Sequence, residues 1–457
     1  MNIRSIIKKV VPQKTFKKLE PYGHLAEAVV SQIKAGFPGK GLKVIGVTGT
    51  DGKTTTSTLI AHMLRHSGKK VAMITTIAVD YGDDKGEQAN PSRMTTMGSG
   101  PLMKILQKIQ NNGVEWVVLE TTSHALAQYR VWGLPFSIAV MTNVGHEHLD
   151  YHHSFEKYRN AKKMLFLQTN KNTLGLQTGI ANADDPSGES FAASTKHAIL
   201  YGIKNGNLKA SNIKTTPSGS TYKASIDQTN YDIKCKLPGS FNVYNSLAAV
   251  AVGITIGLSK QQIEDGIASL GSVEGRMTRI EEGQDFEVIV DYAHTPESFE
   301  KLFKEIKPLT KGRLFVVFGS AGRRDEAKRA TQGKIAGNYC DIVIATEEDD
   351  RDIDGLEILE QIAEGAENSG KIRDKDLFLI HRREDAIKYA INMAKKDDVI
   401  LLLGKGHEKS ILGNGPEAAQ LRHELQDDDD ERRVIKRDYD EVKVARAELK
   451  NLKSTNS

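Results

Sequence analysis

A chain of 457 residues with 39% hydrophobic and 27% charged residues fits an ordinary globular protein of roughly two to three domains. A net charge of +4 is too small for a basic field that would hold nucleic acid, and no apolar run approaches the ~18 residues of a membrane span. Cys235 and Cys340 are far apart and lack metal spacing, which points to a reducing compartment. The basic N-terminus has no apolar core or cleavage site of a signal peptide, so the cytoplasm is expected.

Residues 1–40 are Lys-rich, with apolar positions at Ile3, Ile6, Ile7, Val10, Val11, Phe16 and Leu19. They read as a short amphipathic helix docked on the body or as a basic helix on a membrane surface, broken by Pro12, Pro21, Gly23 and Pro38. Next comes the stretch from Val44 to Thr56: an apolar strand, a glycine turn, then Lys53 and threonines opening a helix. That order forms a phosphate cradle, in which amide N–H groups, the helix dipole and Lys53 attract an anion. Thr54 stands where a hydroxyl reaches a bound Mg²⁺. The loop is a variant, because the usual first glycine position is Val47 and the glycine sits at Gly49.

Beyond the loop, 70–78, 114–120 and 137–143 read as strands and 100–110 as a helix. Apolar strands alternating with helices predict a mostly parallel sheet, which binds ligands at the carboxyl ends of its strands. Those ends carry 49–54, 120–124 and 143–153. Residues 195–236 are polar and alternating and read as a β-rich excursion, and an Ala-rich helix follows over 246–257. A second doubly wound unit starts near Glu287, with strands at 288–292, 313–319, 341–346 and 399–404 and helices at 296–306 and 323–339. The acidic run Asp427–Glu431, followed by Arg432 and Arg433, reads as a solvated loop. The fold class is α/β: a central P-loop-type parallel sheet domain, then a Rossmann-like domain. The expected divisions are 1–40, 41–276 and 277–457.

Five of the 13 histidines lie between His124 and His153. His146, His148 and His152 could hold zinc or could be hydrogen-bonded loop residues. Glu120, at a strand end beside a phosphate loop, suits a hard cation such as Mg²⁺ better. Lys162, in the helical run 158–166, reads on composition alone as a surface lysine.

Taken together, the motifs resemble the Mur ligases, and among them the enzymes adding the third amino acid of the peptidoglycan stem. They are Gly49–Thr56, Leu119–Leu126, Thr142–His152, Ala161-Lys162 before Leu165-Phe166, Asn182–Pro186, Gly239–Asn245, Gly275–Met277, Asp291–Pro296 and Gly404–Glu408. The resemblance runs from about Leu42 to Glu441, and the order and spacing of the motifs are what make it specific. It implies an ATP-dependent ligase working through an acyl phosphate on a muramoyl-peptide-like substrate and an amino acid, with no nucleic acid partner and as a monomer. A related ligase, such as a folylpolyglutamate synthetase or an amino-acid-polymer ligase, is the alternative.

By this resemblance Gly49, Thr50, Asp51, Gly52, Lys53, Thr54 and Thr55 cradle ATP. Asn242, Arg276, Asp291 and His294 contact it from elsewhere. Thr54, Glu120, His148 and a carbamylated Lys162 organise Mg²⁺, and Lys53, Lys162, His148 and Glu120 form the catalytic group. Thr95, Thr96, Thr122, Gln128 and Arg130 match the muramoyl side, and Arg324, Asp349, Arg351, Gly404 and Glu408 the incoming amino acid.

The sequence departs from the family at four places. Only some forty residues precede the loop, without the family's uridine-binding domain. Asp51 replaces an asparagine, and Glu147 replaces an aspartate beside His148. Glu348-Asp349-Asp350-Arg351 stands where the diaminopimelate-adding enzymes have Asp-Asn-Pro-Arg. The extra carboxylates predict a diamino acid with a cationic side chain, lysine or ornithine as well as diaminopimelate.

Overall fold

A computed structural model describes residues 13–92, 94–216, 219–323, 326–413 and 435–456. Arg324, the acidic run 427–431 with Arg432 and Arg433, and the first twelve residues lie outside them. The chain divides into two compact units, Met1–Gly271 and Ser272–Ser457. Arg276 belongs to the second.

Among the described residues the first unit is built on a sheet of eleven strands in the order β11-β10-β9-β8-β7-β6-β1-β5-β2-β3-β4. The core strands are β1 (Lys43–Thr48), β2 (Val71–Ile74), β5 (Trp116–Glu120), β6 (Phe136–Met141), β7 (Thr178–Asn182) and β8 (His197–Gly202). They run parallel, and β1 after Lys43, β2, β5, β6 and β7 are buried continuously rather than in alternation, as strands covered on both faces are. On one side β3 (Ala78–Asp80) and β4 (Glu87–Ala89) turn back antiparallel. On the other, β9 (Leu208–Thr216), β10 (Gly219–Ile226) and β11 (Thr229–Cys235) form an antiparallel meander. The expected β-rich excursion is thus a continuation of the main sheet, since β9 pairs with β8. The strand expected over 70–78 is split, because the chain turns at Thr75 and re-enters as β3.

Register places the site. β1 pairs β5 on one side, with Val47 opposite Glu120, and β6 on the other, with Thr48 opposite Met141. The glycine loop, Glu120 and the segment from Thr142 therefore emerge side by side at one sheet edge.

Gln13–Lys34 forms one helix, and it runs through Pro21 and Gly23, where the sequence predicted a break. Beyond them Ala28 and Gln32 are buried, Gln32 Nε2 donates to the Trp132 carbonyl at 2.8 Å, and the Ser31 and Ser99 hydroxyls lie 3.3 Å apart. An interior proline costs about 3 kcal/mol. Docking of the downstream turns, which no local pattern displays, is what holds the helix there. Among the described residues no helix is long and apolar enough to cross a membrane.

Among the described residues the main sheet of the second unit has six strands in the order β12-β13-β17-β14-β15-β16. They are β12 (Thr278–Arg279), β13 (Glu287–Asp291), β14 (Leu314–Phe318), β15 (Ile342–Ala345), β16 (Leu377–Leu379) and β17 (Val399–Leu403). All are parallel except β12. A separate antiparallel pair, β18 (Ser410–Gly413) and β19 (Ile435–Asp438), follows. Asp291, Gly404 and the segment from Thr346 to Arg351 all leave the carboxyl ends of these strands.

Candidate active site

The glycine loop is held by the neighbouring strand end. Gly52 has φ 77° and caps the helix Lys53–His66 without a side-chain hydrogen bond. A Cβ there would lie 2.3 Å from Asn245 Oδ1, and one on Gly49 would lie 1.8 Å from Thr142 Oγ1. Only glycine fits both positions. Asn143 clamps the loop: its Oδ1 accepts from the Thr50 and Asp51 amides at 3.2 and 2.9 Å, and its Nδ2 donates to the Asp51 carbonyl. Thr142 Oγ1 donates to that carbonyl at 2.6 Å. Thr50 and Asp51 thus spend their amides on Asn143. The uncapped helix start from Lys53 to Thr55 is what remains for an anion. Asn242 joins this region through Asn245, which donates to its Oδ1 at 2.8 Å and accepts from Thr56 Oγ1 at 3.2 Å.

A connected polar network leads away from the loop. Thr54 Oγ1 donates to the buried Glu120 carboxylate at 3.0 Å. The amide and hydroxyl of Thr76 reach the same oxygen at 2.9 and 3.0 Å, and the Thr76 hydroxyl also lies 3.0 Å from Thr95 Oγ1. Thr96 Oγ1 donates to the Glu120 carbonyl at 2.9 Å and accepts from the Thr122 amide at 3.0 Å. Arg130 donates to the Thr96 carbonyl at 2.8 Å and to Gln128 Oε1 at 3.0 Å. The five positions matched to the muramoyl side and the loop threonine are therefore one chain of hydrogen bonds.

Lys162 is not the surface lysine its composition suggests. It is 2% exposed, and its Nζ donates to the Gly49 carbonyl at 2.6 Å. Burial, then the nearby Lys53 charge, pushes its ammonium well below the usual lysine range. Lys53 itself folds back, donating to the Thr50 carbonyl at 2.7 Å.

Tyr158 ties these groups together, and sequence reasoning passed over it. Its ring lies 4.4 Å from Lys162 Nζ, and its hydroxyl meets Thr50 Oγ1 at 3.0 Å and Glu147 at 3.3 Å. The available signal was spacing, since Tyr158 precedes Lys162 by four residues and shares its helix face.

Among the described residues His146, His148 and His152 do not bring their ring nitrogens together as a ligand trio. His146 stacks on Phe155 at 4.6 Å, and buried His152 pairs with Ser123 Oγ at 3.1 Å. His148, at φ 54°, lies 3.7 Å from Glu147 and packs edge-on against His124 at 4.7 Å. Among the described residues, the one trio of His, Asp and Glu ligand atoms within 4.8 Å of one another is Glu347, Asp350 and His381.

In the second unit Asp291 accepts from the Met277 and Ala293 amides, both at 2.8 Å. Arg276 lies over the Tyr292 ring at 4.7 Å, and His294 Nδ1 sits 2.9 Å from the Tyr292 carbonyl. Asp349 and Glu408 share the ammonium of Lys405, at 2.9 and 2.5 Å. Arg351 donates to the Gly322 carbonyl at 2.9 Å. Gly404 has φ 102°, beside the buried Glu348. Asp350 pairs with His381 at 2.7 Å. The carboxylates read from the sequence as excess charge therefore have internal partners: Asp349 shares the Lys405 ammonium with Glu408, and Asp350 is paired with an imidazole.

The sequence matches the family model of the Mur ligase middle domain over residues 47–253 and that of the Mur ligase, glutamate ligase domain over 275–406. It is 39% identical over 422 residues to a UDP-N-acetylmuramyl-tripeptide synthetase of Roseiflexus sp. (strain RS-1), covering 89% of this chain and 82% of that one. It is 40% identical over 387 residues to a UDP-N-acetylmuramoyl-L-alanyl-D-glutamate–2,6-diaminopimelate ligase of Bacillus licheniformis, covering 84% and 77%. A solved structure of a ligase of that same description superposes with a TM-score of 0.62 at 27% identity, over 90% of this chain and 79% of that one. Folylpolyglutamate synthase of Mycobacterium tuberculosis superposes at 0.66 with 14% identity, over 83% and 92%, a likeness of fold.

Proposed function

The chain belongs to the Mur ligase family, and we propose that it adds a diamino acid to the carboxylate of a UDP-N-acetylmuramoyl-dipeptide-like substrate. The reaction consumes ATP and serves peptidoglycan precursor synthesis. The substrate carboxylate oxygen attacks the γ-phosphorus of ATP, and ADP leaves with the electrons of the broken P–O bond. The amino acid's amine then attacks the acyl phosphate carbonyl; phosphate departs and the amine gives up a proton. The observation that carries this reading is the hydrogen-bond chain from Thr54 through Glu120 and Thr76 to Thr95, and through Thr96 to Arg130. It joins a phosphate loop to positions suited to an anionic acceptor substrate.

In this reading Lys53 and the first-turn amides neutralise phosphate oxygens, and Arg130 faces the acceptor's anionic groups. Thr54, Glu120, His148 and Lys162 would hold Mg²⁺, which supplies further charge neutralisation at the phosphates. The buried hydroxyl and carboxylate of Thr54 and Glu120 suit such a hard cation. Burial favours the neutral form of Lys162, and a neutral amine can add to CO₂, forming an N–C bond and releasing a proton. The carbamate so formed at Lys162 is a bidentate anion. Asp349, Arg351 and Glu408 line the place of the incoming amino acid. ATP use and the two buried free thiols fit the cytoplasm.

The test is phosphate release from ATP with a muramoyl-dipeptide acceptor, with and without its UDP, across an amino-acid panel. Turnover that requires both acceptor and a diamino acid is expected. ATP hydrolysis indifferent to the amine, or turnover only with a folate acceptor, would sink the reading.

A further inference from the structure

We propose that Lys405 is the specificity-determining cation of the amino-acid pocket, fixing the position and net charge of Asp349 and Glu408. The proposal rests on the reading that Asp349, Arg351 and Glu408 line that pocket.

Lys405 is fully buried, an unusual place for an ammonium group. The turn after β17 puts it there. Gly404 adopts φ 102°, and the Glu408 amide donates to the Lys405 carbonyl at 2.8 Å, closing a tight turn. The side chain then bridges two carboxylates from different segments, Asp349 Oδ1 at 2.9 Å and Glu408 Oε2 at 2.5 Å. Burial works against its charge, but Glu408 and Asp349 more than offset this and hold its ammonium above the ordinary lysine range.

Both carboxylates are otherwise positioned from outside the pair. Asp349 Oδ1 also accepts from the Leu412 amide at 2.9 Å, and Glu408 Oε1 lies 3.4 Å from the Tyr292 hydroxyl. The Arg351 amide donates to the Leu412 carbonyl at 2.8 Å, which ties the Arg351 backbone to the same frame. Asp349 and Glu408 share the single ammonium of Lys405, while the Arg351 guanidinium donates to the Gly322 carbonyl and Glu348 is buried beside Gly404. The fewer net negative charges such a pocket keeps, the more readily it admits a zwitterion with two ammonium and two carboxylate groups beside a cationic diamino acid. One charge more or less within this low-dielectric cluster shifts that choice.

The experiment measures kcat/KM for lysine and for diaminopimelate in the full chain, with Lys405→Met, Lys405→Arg and Asp349→Asn. KM for ATP and melting temperature are followed in parallel. Lys405→Met makes the pocket more negative, and the lysine-to-diaminopimelate ratio is expected to rise about tenfold. Asp349→Asn makes it more positive, and the ratio is expected to fall about as far. Lys405→Arg keeps the charge and is expected to hold the wild-type ratio. General damage would move both charge variants the same way, so shifts of the same sign, or none, overturn the proposal. Should Lys405→Met fail to fold, an unchanged ratio in Asp349→Asn overturns it alone. Absence of amino-acid-dependent turnover in the wild type would instead overturn the underlying reading.

Discussion

Lys162 Nζ donates to the carbonyl of Gly49 at 2.6 Å, so a helix 113 residues downstream anchors the first glycine of the phosphate loop. The contact is buried, and the Tyr158 ring flanks the amine. It fixes the Lys162 amine against the backbone of the glycine loop.

Replacing Lys162 by alanine is expected to lower turnover by about 10²–10³, the scale on which single charge-stabilising groups act. A short carboxylate added to the buffer should restore part of it, because the proposed carbamate is an anion and not an ammonium. Phosphate release assays with and without the additive check this. Full activity in the alanine variant would refute a catalytic role.

Glu120→Gln preserves volume but sets an NH₂ group among donors. The carboxylate receives Thr54 Oγ1, the Thr76 amide and the Thr76 hydroxyl. Stability should fall by about 1–3 kcal/mol from the mismatched donor. The Mg²⁺ concentration for half-maximal activity should rise. Denaturant titration and a magnesium titration measure the two effects, and an unchanged magnesium dependence would remove Glu120 from the metal's ligands.

Gly52→Ala meets two obstacles. The φ of 77° costs a side chain about 1–2 kcal/mol, and the new Cβ would collide with Asn245 Oδ1. ATP affinity should fall about tenfold or more, along with melting temperature. Adding Asn245→Ala should relieve the collision but not the backbone strain, giving partial recovery in a double-mutant cycle. Wild-type ATP binding by Gly52→Ala would contradict the geometry.

His407 sets an acid limit on stability. Burial first, then Arg276, Lys409 and Lys405, push its imidazole down to about 3 from an ordinary 6.5. Between these values the unfolded chain binds a proton that the folded chain does not. Its contribution is therefore present above pH 6.5 and is lost as pH falls towards 3. His407→Gln is expected to flatten this part of the stability curve, read by denaturant unfolding across that range. An unaltered slope would show that His407 does not carry it.

The phosphate loop was legible because its parts are consecutive: strand, glycines, lysine and helix start are one local pattern, and Gly52 takes the φ that a glycine there suggests. Glu120 was legible as a polar residue ending an apolar strand. Pairing of β1 with β5 then set Val47 opposite Glu120 and brought carboxylate and loop together. Lys162 read by composition as an exposed residue, and the packing of its helix under the loop buried it. Asp350 read as pocket charge, until His381 took it up from a distant segment. Asn143 and Lys405 carried no local mark of their roles, and Tyr158 only its spacing from Lys162.

By itself the sequence determined the α/β class, the order of its strands and helices, and the residue types gathered at the carboxyl ends of its strands. Hydrophobic periodicity and glycine conformation act over a few residues and can be read there. Tertiary structure alone decided which of those polar groups are buried and with whom they pair: Lys162 with Gly49, Thr54 with Glu120, Lys405 with Asp349 and Glu408. The charge state and reach of a side chain depend on the dielectric and partners around it, and segments far apart in the chain supply both.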